Sequence, residues 1–182
     1  MKLMIASDIH GSAKWCRRLV QRFEDEHAER LVLLGDLLYH GPRNALPEEY
    51  DPKAVIEMLN AVSDRLICVR GNCDCEVDQM VLHFPILAEY AYLFADGMAI
   101  CCVHGHKVTD NGIAALCPGD ILLQGHTHVP LCAENDGHLC LNPGSVSIPK
   151  ENSPHGYMVL ENGVFHWKNL ENGEVWLNHR QD

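Results

Sequence analysis

The sequence predicts an α/β layered protein, with two packed β-sheets and helices outside. Two observations predict it. The first half alternates short apolar runs with amphipathic stretches, the pattern of parallel strands joined by crossover helices. The second half carries four hairpin-type dipeptides, Asp96-Gly97, Asp136-Gly137, Asn162-Gly163 and Asn172-Gly173, each between strand-like runs. Such turns join antiparallel strands.

The elements follow in order. Residues 3–7 form a short apolar first strand. Ser12 is a fitting N-cap, and Cys16, Leu19, Val20 and Phe23 recur at i, i+3, i+4, i+7, which predicts a helix to about residue 27. Residues 31–34 are a continuous apolar run of the buried parallel-strand type. Pro52 opens a second helix with Val55, Ile56 and Leu59 on one face. Residues 66–69 and 98–103 read as buried strands, a short helix is expected over 111–116, and residues 157–160 precede the Asn162-Gly163 turn. The segment 39–51 holds Gly41, Pro42 and Pro47 and fits neither period. It is either a surface connection or a rim over a site.

Length and charge narrow the function. A chain of 182 residues, 47% hydrophobic and without repeats, fits one domain spanning 1–182. Its net charge of −11 argues against a stable nucleic-acid complex or an anionic membrane surface. No apolar run approaches the roughly 18 residues of a spanning helix, and the N-terminal run is too short for a signal peptide, so a cytoplasmic protein is expected. Nine cysteines without a Cys-x-x-Cys pair read mostly as small buried hydrophobes, not as disulfides or a zinc knuckle. Exposed hairpin strands could pair two copies into a homo-oligomer.

The chemistry lies where the strands stop. Five successive strand ends present Asp, His or Asn beside Gly: Asp8-Ile9-His10-Gly11, Gly35-Asp36, Gly71-Asn72-Cys73-Asp74, His104-Gly105-His106 and Gly125-His126-Thr127-His128. Ligands of open α/β sheets bind outside the carboxyl ends of the strands. Carboxylate, imidazole and amide oxygen together suit Mn²⁺, Fe²⁺, Zn²⁺ or Ni²⁺.

In this order and at these strand ends, the five motifs resemble those of the calcineurin-like metallophosphoesterases, and the chain length resembles the compact bacterial and archaeal phosphodiesterases among them. The resemblance covers residues 8 to 128, and Asn142-Pro143-Gly144-Ser145 extends it. It implies a four-layer α/β/β/α sandwich of two mixed β-sheets flanked by helices. It also implies two divalent ions, Mn²⁺ first, with Ni²⁺, Fe²⁺ or Zn²⁺ as alternatives. One ion would be held by Asp8, His10, Asp36 and His128. The other would be held by Asp36, Asn72, His104 and His126, with Asp36 as the bridge. The implied reaction is hydrolysis of a small phosphodiester by a hydroxide bridging the ions. Lowering the pKa of water from 15.7 to about 7 makes that hydroxide available near neutral pH. Two carboxylates against four positive charges leave a cationic pocket in an acidic protein.

Asn72, Cys73 and His104 are the expected catalytic residues, and Asn72 and His106 the expected substrate contacts. Many family members have His where this chain has Cys73, placed to assist the leaving group. A thiol is the weaker donor. This predicts a slower enzyme that favours good leaving groups. Tyr39, His40 and Arg43 are further candidates from the 39–51 loop. Lys14, Arg17, Arg18 and Arg22 read as a solvated basic helix face, and His27, His83, His138, His166 and His179 carry no motif. The rival reading is a phosphoesterase-fold scaffold for protein–protein contacts without activity.

Overall fold

A computed structural model describes residues 1–107, 116–135 and 137–181. In chain order its elements are β1 (Leu3–Ala6), α1 (Ala13–Asp25), β2 (Arg30–Leu33), α2 (Pro52–Asn60), a 3-10 turn, β3 (Leu66–Cys68), α3 (Glu76–Gln79), β4 (Tyr90–Ala95), β5 (Met98–Val103), β6 (Ile121–Leu123), β7 (Leu131–Asn135), β8 (His138–Asn142), β9 (Gly156–Glu161), β10 (Val164–Asn169) and β11 (Val175–Arg180).

The strands form two mixed sheets, in the orders β11-β10-β9-β1-β2-β3 and β4-β5-β6-β8-β7. In the first sheet β1, β2 and β3 run parallel, while β9 returns antiparallel beside β1. In the second, β5, β6 and β8 run parallel and the edge strands β4 and β7 antiparallel. Six strands therefore have at least one parallel neighbour within the two sheets.

Side-chain alternation explains why β1 and β2 read as unbroken apolar runs. Met4, Ala6, Leu31 and Leu33 pack with Trp15, Cys16, Leu19 and Phe23 of α1 and Val55 and Leu59 of α2. Their neighbours Leu3, Ile5 and Val32 face the second sheet, against Ile100, Cys102, Ile121, Leu123 and Leu141. Both faces of the sheet are buried at β1 and at residues 31–33 of β2, so no polar position appears there. At about 1.5–3 kcal/mol per fully buried aliphatic side chain, this double-sided burial fixes the sandwich.

Helix ends follow local chemistry. Ser12 caps α1, its hydroxyl accepting from Trp15 N. The helix ends at Asp25, two residues short of expectation, because His27 takes φ +52° and cannot continue it. Asp51 caps α2 and Pro52 opens it. The turns at Asp96-Gly97, Asn162-Gly163 and Asn172-Gly173 connect β4–β5, β9–β10 and β10–β11 as expected. Asp136 and nearly all of the helix expected over 111–116 lie outside the described residues. The outer face of the second sheet buries Cys101, Val103, Leu122 and Cys140, with Leu116 packed against them. Cys16, Cys68, Cys73, Cys75, Cys101, Cys102, Cys117 and Cys132 are free thiols.

Candidate metal centre

The ends of β1, β2, β3, β5 and β6 bring the predicted donors to one place. They arrive on unusual backbone. Asp8, His10, Asp36, His126 and His128 all have positive φ, between 49° and 66°. Non-glycine residues rarely adopt this left-handed region, and such strain concentrates at functional sites. It turns each side chain sideways from its strand end. Glycines make the crossing possible. A Cβ on Gly71 would lie 2.1 Å from Asp36 Oδ1 and 2.3 Å from Asp36 N. One on Gly125 would lie 2.0 Å from Ser7 Oγ.

Three histidines are oriented alike. The ring Nδ1 of His10 lies 2.7 Å from the Tyr39 carbonyl, that of His104 2.6 Å from Leu34 O, and that of His128 2.7 Å from Ile148 O. A carbonyl only accepts, so each Nδ1 carries a proton, and Nε2 is the nitrogen that presents a lone pair once the ring is neutral. His10 Nε2 and His128 Nε2 then face each other at 3.2 Å. Asp8 Oδ1 lies 3.6 Å from the first and 3.3 Å from the second. It is buried, and among the described residues no donor meets it in hydrogen-bond geometry. Three acceptors converging without a donor call for a cation, so the donors fit a metal ion. A second convergence adjoins it: His104 Nε2 is 3.1 Å from Asn72 Oδ1 and 3.4 Å from Asp36 Oδ2, and Asp36 Oδ2 is also 3.6 Å from His10 Nε2. Asp36 thus stands between the two groups.

Asp8/His10/His128, His10/Asp36/Cys73 and Asp8/Asp36/His104 each bring one ligand atom per residue within 4.8 Å of the others. His126 donates its backbone N–H to Asp8 Oδ2 at 3.1 Å, and its half-buried ring lies 5.1 Å from that of His104. The ring of His106 lies 5.4 Å from that of His104, and its buried Nδ1 has no partner.

Charge is balanced internally. Burial would raise the Asp8 carboxyl, but His10 and His128 hold it well below the usual carboxylate range. Asp36 is likewise lowered against burial by His104. Burial would lower His104, but Asp36 and Asp8 raise it to about 9. Burial and the Asp36 charge push the Cys73 thiol up to about 12, so it is neutral.

The sequence reading named Asp74 and the Asn142–Ser145 turn without these roles, and it did not name Ser147 or Lys150. The buried Asp74 accepts from the backbone N–H of Asp36, Leu37 and Gly71 at 2.7–2.9 Å, tying two strand-end loops together. Ser145 and Ser147 hydroxyls both donate to the Asp8 carbonyl at 3.0 Å, which places the Asn142–Ser145 turn beside the cluster. A cleft of about 360 Å³ opens over it, and the walls include Pro42, Arg43, Asn72, Cys73 and Lys150. The 39–51 loop is therefore a rim of the site. Nothing but position marks Lys150, because a lysine in a loop carries no pattern of its own.

A mixed two-sheet sandwich with a donor cluster at its strand ends is the design of a phosphoesterase. The sequence model of the calcineurin-like phosphoesterase superfamily domain matches residues 1–163, and the chain belongs to that superfamily. Its members depend on divalent metal ions, and the donor groups above are candidates to hold them. Phosphodiesterase YfcE of Escherichia coli K12 is 49% identical over 164 residues, 90% of this chain and 89% of YfcE. A solved structure of E. coli YfcE, described as a phosphoesterase, matches with a TM-score of 0.93 at 45% identity, covering 98% of each chain. Vps29 of Entamoeba histolytica in complex with Zn²⁺ matches with a TM-score of 0.59 at 20% identity, over 97% of this chain and 96% of Vps29, a likeness of fold alone.

Proposed function

We propose that this chain is a metal-dependent phosphodiesterase acting on small phosphodiesters in the cytoplasm, with residues 1–182 as one domain. The convergence of His10 Nε2, His128 Nε2 and the buried Asp8 Oδ1 carries the reading. Asp8, His10, Asp36 and His128 are assigned to one divalent ion, and Asp36, Asn72, His104 and His126 to a second, with Mn²⁺ the expected metal. When bound, such ions activate water and neutralise the charge of a phosphoryl group.

The chain's own residues do the rest. The Tyr39, Leu34 and Ile148 carbonyls hold His10, His104 and His128 in the tautomer that leaves Nε2 free. Cys73 N donates to Asp36 Oδ1 at 2.8 Å, which leaves Oδ2 to be shared. Asn72 lines the cleft, and Asn72 and His106 are assigned to the phosphoryl oxygens. Cys73 takes the place beside the leaving group and, as a neutral thiol, gives it little proton assistance. The silent-scaffold alternative has no use for a cluster made of acceptors only.

The test is hydrolysis of bis(p-nitrophenyl) phosphate with Mn²⁺, against the same assay with chelator. Metal-dependent release of nitrophenol is expected. A folded protein that binds Mn²⁺, Ni²⁺ or Zn²⁺ yet releases none overturns the proposal and leaves the scaffold reading.

A further inference from the structure

A second chamber of about 490 Å³ opens off the metal cleft, and its walls include Tyr39, Pro42, Cys73, Cys75 and Asp78. The two spaces share Pro42, Arg43, Asn72 and Cys73, so a ligand held at the cluster can extend into the chamber. Its volume is within the range of small-molecule pockets.

The chamber's walls are of a different kind from the cluster. Tyr39 is 43% exposed, although a free tyrosine ring would normally bury itself. It cannot turn away freely. Its carbonyl is held by His10, and its ring packs edge-on against His40, whose ring packs edge-on against Tyr50. The result is a fixed aromatic face with one side open. At the junction stands Arg43, which forms no ion pair or hydrogen bond through its side chain among the described residues. Most other cations are committed: Lys14 to Glu48, Arg17 to Glu49, Arg65 to Glu24, Lys107 to Glu89. In a chain of net charge −11, an uncommitted guanidinium at the mouth of the cleft is conspicuous. Asp78 lies at the wall with one oxygen accepting from both Cys75 N and Cys75 Sγ, which leaves the other open as an acceptor.

We propose that this chamber receives the aromatic end of the substrate: a phosphodiester one of whose ester groups carries a planar ring, stacked on Tyr39, with Arg43 on the phosphoryl charge. The proposal rests on the phosphodiesterase reading and narrows it to aryl or nucleoside esters over alkyl ones. Cys73 borders both the cleft and the chamber. Tyr39 and Arg43 are then specificity-determining residues: the ring sorts ester groups, and the cation holds any phosphoryl anion.

Binding separates the two. Phenylphosphonate and methylphosphonate, which are not hydrolysed, are titrated calorimetrically into the Mn²⁺-loaded protein. Phenylphosphonate should bind roughly tenfold more tightly. In Tyr39→Ala that ratio should fall to about one, with methylphosphonate affinity unchanged, while Tyr39→Phe keeps it. Should Tyr39→Ala lose its native circular dichroism, Tyr39→Leu serves in its place. Arg43→Gln should weaken both ligands alike. Equal binding of the two phosphonates by the parent protein overturns the proposal, as does a ratio that survives loss of the ring. The phosphodiesterase reading fails separately: a protein that sorts the phosphonates but hydrolyses no diester keeps the chamber and loses the reaction.

Discussion

Cys73 is the residue at which this chain departs most from the pattern it otherwise keeps. Its thiol is neutral and lies beside Asp36 and Asn72, whose side-chain amide is 3.2 Å from the sulfur. Cys73→His should raise turnover of diesters with poor leaving groups by about 10²-fold, the lower end of general acid assistance, and that of bis(p-nitrophenyl) phosphate by less. Steady-state kinetics with metal content checked would show it; an unchanged rate would mean that proton transfer at this position does not limit the reaction. His104 gives a second prediction. In metal-free protein its folded pKa is raised to about 9 from 6.5, so the folded chain holds the proton more tightly than the unfolded one. That stabilisation is complete below about pH 6.5 and disappears as the pH climbs through about 9. The urea midpoint of metal-free protein should therefore decline between pH 7 and 9.5, and the decline should flatten in His104→Gln. Asp8 and Asp36 act oppositely, being lowered, and lose their contribution only on acidification below the ordinary carboxylate pKa of 3.8. At this scale the donors were legible because Asp, His and Asn recur beside Gly at strand ends. Asp74 was named within its motif, but its role was not legible, since bonds to the backbone N–H groups of Asp36, Leu37 and Gly71 leave no local pattern.

At the level of elements, the site depends on loops crossing at very short range. Gly71, just after β3, leaves room for Asp36, just after β2. Gly71→Ala should push Asp36 aside, costing about 3 kcal/mol in urea denaturation, the upper end for overpacking. Metal affinity should fall by more than tenfold, as for disturbed supporting groups. A variant of unchanged stability and affinity would show that the loops do not cross as described. The hairpins were readable from Asn-Gly and Asp-Gly pairs, and the parallel strands from apolar runs. The four-residue α3 was not, because it is shorter than two helical turns and shows no period. The end of α1 was misplaced by two residues because nothing in the sequence marks His27 as left-handed.

Across the whole molecule, the cluster ties the C-terminal ends of strands from both sheets. Metal binding should therefore stabilise the sandwich and not merely a loop. An ion at 100 times its dissociation constant contributes about 2.7 kcal/mol. For a chain of this size that is a rise in Tm of about 5–10 °C. Calorimetry with Mn²⁺ and with chelator should show the difference, and coincident melting curves would count against a resident metal. The strand order has a further outcome for biosynthesis. β1 is made first, yet it lies mid-sheet between β2 and β9, with Leu3 opposite Leu160. Asp8, immediately beyond it, also waits for Ser145 and Ser147. A nascent chain on the ribosome therefore carries an open β1 edge until most of its length has emerged, and its pocket closes among the last events of folding.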